Sequence, residues 1–265
     1  MTSNLNICLF PMEIIWGDKE SNLNEVKKAV AGVYPGTDLL ILPEMFSTGF
    51  VTRDKEEIRN LAERNTGETI ALLQQLSSER GMAIAGSFIA DTGGSLFNRA
   101  FFIEPNGEPV FADKRHLFTM GGEDKVFSRG DSRLHVRYRG WNISMIVCYD
   151  IRFPIWCRNV GNQYDLLIAV ANWPKARIDT WNYLLKARAI ENLSYVAGVN
   201  CCGVDQEGYE YDGSSLCFDF KGKDITVTHD SVPYKYATLT FEKLERYRTK
   251  FPAWKDADRF SIEID

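Results

Sequence analysis

Short apolar runs alternate with amphipathic stretches from Leu5 to beyond Phe241, and several runs stop at a proline or a polar residue. This alternation narrows the fold more than any other feature. A run of roughly four to eight apolar residues bounded by breakers reads as a buried strand, while apolar residues three and four apart read as one face of a helix. Residues 5–10, closed by Pro11, and residues 39–42, closed by Pro43, are strands of that kind. Between them Asp18 caps a helix running to about residue 33, with Leu23, Val26, Ala29, Val30 and Val33 on one face. Residues 68–80 form a second helix that Gly81 stops. Residues 82–89 and 98–103 alternate as strands joined by a turn at Asp91-Thr92-Gly93-Gly94.

Further strands are expected at 110–113, 141–147, 166–171, 195–200, 215–220, 225–228 and 236–240. Helices are expected at 155–160, at 178–192 and from Phe241 onward. No linker, repeat or low-complexity segment interrupts the series. The pattern predicts the α/β class, with one domain over residues 1–265. Roughly a dozen strands fit two helix-covered sheets better than one open sheet.

Composition excludes several classes. At 265 residues, 45% apolar and 25% charged, the chain can bury a large core without staples. Lys and Arg number 31 against 36 Asp and Glu, a net charge of −5, and the basic residues are dispersed. Such a surface suits neither nucleic acid nor an anionic membrane. The longest apolar run, residues 166–171, falls far short of the ~20 residues a membrane span needs. Residues 1–11 carry no basic region followed by a long apolar one, so no signal peptide is expected. Cys8, Cys148, Cys157, Cys201, Cys202 and Cys217 form no C-x-x-C pair, and His116, His135 and His229 have no ligand spacing. The expectation is a reduced, cytoplasmic protein with free thiols, no metal and no cofactor.

The chain has no phosphate-binding glycine loop and no G-x-S-x-G elbow. What remains is a set of polar residues just past the ends of apolar strands, where α/β sheets place their ligands. Glu44 leaves the run Leu39-Leu40-Ile41-Leu42-Pro43. A solvated loop carboxylate is the ordinary fate of glutamate, but Met45, Phe46 and Phe50 give this one apolar company that suits a base. Lys114 follows Val110-Phe111-Ala112-Asp113, where a surface lysine paired with Asp113 is the plain alternative. Cys148 ends the run Ile143-Ser144-Met145-Ile146-Val147. Most cysteines there are inert and buried, but a strand-to-turn junction can lower a thiol pKa and offer N–H groups to an oxyanion. His116 is open as a Cys–His base. Cys201 and Cys202 read as the end of a buried strand, Cys157 as core.

Leu-Pro-Glu at 42–44, Asp-Lys-Arg-His-Leu-Phe at 113–118 and Cys-Tyr-Asp-Ile-Arg-Phe-Pro at 148–154 together resemble the three signature segments of the nitrilase superfamily of carbon–nitrogen hydrolases. Ala171-Asn172-Trp173-Pro174 and Arg188-Ala189-Ile190-Glu191-Asn192 resemble two further blocks, and the similarity runs almost the whole chain. Pro-Glu-Met-Phe-Ser-Thr-Gly-Phe from Pro43 is similar to the bacterial omega-amidase branch, which acts on the terminal amide of 2-oxo acids such as 2-oxoglutaramate.

The resemblance implies a four-layer α-β-β-α sandwich. It also implies a homodimer formed through helices near 155–160 and 178–192 and the C-terminal segment. Cys148 is the implied nucleophile, Glu44 the general base and Lys114 the oxyanion stabiliser, with the Tyr149 backbone N–H as second donor. Glu123 is the implied further glutamate. Phe46, Phe118, Met120 and Trp173 are candidate pocket walls. Arg115 and Arg177 are candidates for a substrate carboxylate, and Arg152 is expected to brace the loop against Asp150 or Glu44. The implied partner is a small-molecule amide. Another carbon–nitrogen hydrolase, such as an N-carbamoyl amidase or a nitrilase, stays open at this point. So does a non-catalytic thiol-bearing binding protein.

Overall fold

The computed structural model describes residues 4–51, 55–229 and 232–264. Its strands in chain order begin with β1 (Leu5–Leu9), β2 (Leu39–Ile41), β3 (Ala83–Asp91), β4 (Leu96–Ile103) and β5 (Val110–Asp113). They continue with β6 (Leu134–Tyr138), β7 (Trp141–Val147), β8 (Leu166–Ala171), β9 (Tyr195–Asn200), β10 (Cys202–Val204) and β11 (Glu210–Asp212). The last are β12 (Leu216–Phe218), β13 (Val227–Thr228) and β14 (Lys235–Leu239). The helices are α1 (Lys19–Gly32), α2 (Lys55–Leu61), α3 (Glu68–Arg80), α4 (Ile178–Asn192) and α5 (Phe241–Lys250).

Two sheets stack. One has seven strands in the order β13-β14-β1-β2-β3-β4-β5, the other five in the order β12-β9-β8-β7-β6. β1, β2 and β3 run parallel at the centre of the first, and β7, β8 and β9 at the centre of the second. Strand side chains alternate between faces, so each central strand must bury both. Leu39 and Ile41 turn inward to meet Trp141, Ile143, Ile168 and Val199 of the opposite sheet. Leu40 and Leu42 turn outward, against Val26 and Val30 of α1 and Ile70 and Leu73 of α3. On the other side Ile146, Leu167 and Val196 pack under Trp181, Leu185 and Ala189 of α4. Each buried Leu, Ile or Val among them contributes about 1.5–3 kcal/mol. The result is the α-β-β-α layering. α5 inserts Leu244 into the edge of the core between the sheets.

Local chemistry fixes the helix ends. Asp18 accepts a hydrogen bond from the Ser21 N–H at 3.0 Å at the start of α1. Gly81 closes α3 with φ of +62°, a conformation that favours glycine. One expected helix is absent. Residues 154–157 form turns, and the Asn159 N–H donates to Asn192 Oδ1 at 2.9 Å instead of continuing a helical ladder. Cys157 is nonetheless buried, as expected. Cys201 lies just past β9, and Cys202 opens β10 instead of finishing the preceding strand.

Candidate active site

Four chain segments reach one cavity. Glu44 lies just past β2, Lys114 just past β5, Cys148 just past β7 and Asn172 just past β8. β7 and β8 are parallel neighbours, with Val147 beside Val170, so Cys148 and Asn172 emerge at the same sheet edge. All four line a cavity of about 970 Å³.

Lys114 is the hub. Its side chain is 1% exposed, and its ammonium donates to Glu44 Oε1 at 2.9 Å and to Glu123 Oε1 and Oε2 at 3.0 and 2.9 Å. Asn98 Nδ2 bridges the same two carboxylates, 2.7 Å from Glu44 and 3.2 Å from Glu123. Asn98 is itself oriented by the Ser87 hydroxyl, which donates to its Oδ1 at 3.0 Å. The remaining Glu44 oxygen, Oε2, accepts the Asn172 backbone N–H at 2.8 Å, and Glu123 Oε2 accepts the Phe118 N–H at 2.6 Å. Every oxygen of the two buried carboxylates therefore has a donor, the condition under which buried charges persist. Burial works against the lysine charge, but Glu123 and then Glu44 outweigh it and hold the Lys114 pKa above its ordinary value. Burial raises the Glu123 pKa, with Glu44 adding to it against the pull of Lys114. Glu123 is fully buried and stands behind the ammonium, outside the cavity lining.

Cys148 has φ of +46°, a left-handed conformation that costs a non-glycine residue about 1–3 kcal/mol. The turn is held from three sides. Asp150 Oδ2 accepts the Val147 N–H at 3.1 Å, and Asp150 Oδ1 accepts the His116 N–H at 2.8 Å. Arg188 of α4 donates to the Ile151 carbonyl at 2.6 Å, and the Cys157 thiol to the Asp150 carbonyl at 3.4 Å. The sequence suggested a lowered thiol pKa at this junction. Here burial dominates, and the charge of Glu44 and a hydrogen bond to it add to burial, so the Cys148 pKa is raised well above the usual thiol value despite Lys114. The resting group is a thiol beside a carboxylate that can take its proton.

The other candidates divide. Phe118, Met120 and Trp173 line the cavity. Phe46 does not: it is fully buried against Phe101, 5.9 Å between ring centroids. Tyr149 lines the cavity, its ring edge-on to Phe118. His116 Nδ1 is 2.8 Å from Asp150 Oδ1 and its ring stacks on Phe153, so Glu44 is the base brought to the thiol. Arg115 donates to the Gly130 carbonyl and stays outside the lining. Among the described residues Arg152 makes no hydrogen bond or ion pair with Asp150 or Glu44, whose partners include Val147, His116, Lys114, Asn98 and Asn172. The Arg152 guanidinium instead lies 4.9 Å over the Trp173 ring in the cavity wall. Arg177 lies 5.8 Å over Phe118 in the same wall. Sequence reasoning passed over Asn98 as a ligand of the carboxylates. The signal was an amide next to Arg99 in a strand whose other residues are apolar, at a position that β4 buries. Among the described residues no group of three or more His, Cys, Asp and Glu could hold a metal ion.

A family model for carbon-nitrogen hydrolases matches residues 6–249. The chain belongs to the carbon-nitrogen hydrolase family. It is 39% identical over 260 residues to omega-amidase YafV of Escherichia coli (strain K12), covering 97% of this chain and 98% of that one. It is 28% identical to 2-oxoglutaramate amidase of Bacillus subtilis (strain 168), covering 94% and 96% of the two chains. Among solved structures, XC1258 from Xanthomonas campestris, a CN-hydrolase superfamily protein with an arsenic adduct in its active site, matches with a TM-score of 0.92. That match is at 37% identity over 98% of this chain and 99% of the other. An amidase of the nitrilase superfamily from Nesterenkonia AN1 shares the fold with a TM-score of 0.81 at 22% identity, over 95% and 97% of the two chains.

Proposed function

We propose that the protein hydrolyses the terminal amide of 2-oxo dicarboxylic acid monoamides, such as 2-oxoglutaramate, to the acid and ammonia through a thioester on Cys148. The observation that carries this reading is the Lys114 ammonium, bonded to both Glu44 and Glu123, in the wall of the cavity that also holds the Cys148 turn. An amide is a poor electrophile with a poor leaving group, and a covalent intermediate divides its hydrolysis into two easier steps.

In this account Glu44 takes the thiol proton as sulfur attacks the amide carbon. The oxyanion develops against Lys114 and the Tyr149 N–H, one such donor being worth about 3 kcal/mol. Glu44 gives the proton to the amide nitrogen, the C–N bond breaks and ammonia departs. Water then attacks the thioester as Glu44 accepts its proton, the C–S bond breaks, and Glu44 returns that proton to the departing sulfur, so the acid leaves with the thiol restored. Glu123 keeps Lys114 charged and aimed. Because the thiol pKa is raised, proton removal accompanies attack and no standing thiolate is needed.

The two cations over aromatic rings, Arg152 and Arg177, support a carboxylated substrate, with Phe118 and Trp173 as the apolar walls beside them. The names of the relatives point the same way. We read residues 1–265 as one catalytic domain acting in the cytoplasm, and as a homodimer. Tyr183 and Ile190 of α4, Ile155, and Phe260, Ile262 and Ile264 near the C-terminus turn apolar side chains outward, which supports pairing through these segments. Ammonia release from 2-oxoglutaramate, N-carbamoyl amino acids and simple nitriles tests the reading. Turnover confined to the last two classes would replace it.

A further inference from the structure

Asn172 holds Glu44 at both ends. Its backbone N–H donates to Glu44 Oε2 at 2.8 Å, and its Nδ2 donates to the Glu44 main-chain carbonyl at 3.0 Å. The second bond fixes which way the side-chain amide points, because only the nitrogen end can serve a carbonyl. The oxygen end, Oδ1, is buried and has no hydrogen-bond partner among the described residues. The residue is 6% exposed and lines the cavity with Cys148, Lys114 and Glu44. A buried amide oxygen without a donor is costly, and most such atoms in folded proteins are paired. An orphan acceptor beside the reacting groups points to a donor that arrives with the ligand.

The proposed chemistry supplies that donor. A primary amide carries two N–H bonds once its carbonyl is directed at Lys114. Glu44 Oε1 already accepts from Lys114 and Asn98, and Oε2 from Asn172, so Glu44 is poorly placed to take both. We propose that Asn172 Oδ1 accepts the second N–H of the substrate's primary amide, aligning the leaving nitrogen with Glu44 and favouring amides over esters and nitriles, which bring no such hydrogen. The inference rests on the amidase reading above and adds a residue that discriminates by functional group.

Binding to the inert Cys148→Ala protein separates the two ideas. The probes are succinamate, a primary monoamide of a dicarboxylic acid, and monomethyl succinate, which keeps the carbonyl and the carboxylate but has no N–H. Calorimetry on Cys148→Ala and on Cys148→Ala/Asn172→Ala should show the succinamate Kd rising about tenfold or more, the loss expected for one buried hydrogen bond. The ester Kd should change by less than about threefold. Equal weakening of both ligands would make Asn172 a structural tie for Glu44 alone and overturn the inference, as would no weakening of either. If the double variant does not give a cooperative melt, Asn172→Ser in the same background should show the same split. Failure of succinamate to bind Cys148→Ala, together with no ammonia release from succinamate or 2-oxoglutaramate by the unmodified enzyme, would overturn the amidase reading and the inference with it.

Discussion

The Lys114 ammonium lies 2.9 Å from Glu44 Oε1, although the two residues are 70 positions apart and leave different strands of one sheet. Both are buried, so neither side chain has water to fall back on. Removing either partner leaves an uncompensated charge, which costs more than the pair contributes. Lys114→Met should therefore abolish turnover and destabilise the fold by about 3–5 kcal/mol, because two carboxylates then face each other without a cation. Chemical denaturation read by tryptophan fluorescence checks the second part.

Glu123→Gln tests the rear support of the lysine. The amide keeps the shape but loses the charge, so kcat should fall by about 100-fold while KM stays within about threefold. A fall carried mainly by KM would instead place Glu123 in substrate contact.

The thiol makes a less obvious prediction. Burial first, then the Glu44 charge, raises the Cys148 pKa. Alkylation by iodoacetamide should be slow at pH 7 and keep rising past pH 9. Glu44→Gln removes the nearby negative charge and leaves Lys114 in place. At pH 8 this variant should be alkylated about tenfold faster, the effect of a one-unit fall in pKa, while hydrolysing nothing. Slower alkylation would mean that Glu44 activates the resting thiol.

Much of this site was legible in the sequence, for a physical reason. Glu44, Lys114 and Cys148 each stand at the end of a short apolar run, and such runs have little choice but to become buried strands that deliver the next residue to a sheet edge. Less visible was what local pattern does not encode. α2 buries only Ile58, and its charged sequence gives no apolar face to read. β6 alternates, but with just Leu134 and Tyr138 fully buried at its ends. The expected direction of the thiol shift failed because turn geometry was weighed without the burial the fold imposes on the sulfur and, after it, the carboxylate placed beside it. Arg152 was expected on a carboxylate, and only three dimensions show its guanidinium over the Trp173 ring instead.

The arginines of the cavity wall should act on binding. Arg177→Met and Arg152→Met should each raise KM for 2-oxoglutaramate about tenfold with kcat little changed, the loss of one charged contact. A neutral amide such as propionamide should be handled alike by all three proteins. Unchanged KM in both variants would remove them from carboxylate recognition.

Alkali should unfold the protein early. Burial raises the Cys8 and Cys157 thiols from 9.0 to about 12. A native pKa above the unfolded one means the folded state holds protons that the unfolded chain has released. The stabilisation is whole below pH 9 and is lost as pH rises toward 12, at up to about 1.4 kcal/mol per pH unit for each thiol. The melting temperature should fall across that window, and Cys8→Ala should make the fall shallower.

The proposed hydrolysis passes through a covalent bond to one sulfur. Mass spectrometry of the enzyme quenched in acid within its first turnovers on 2-oxoglutaramate should find the acyl group on the peptide that carries Cys148 and on no other. Steady ammonia release with Cys148 unmodified, or an acyl group on Cys201 or Cys202, would contradict the account.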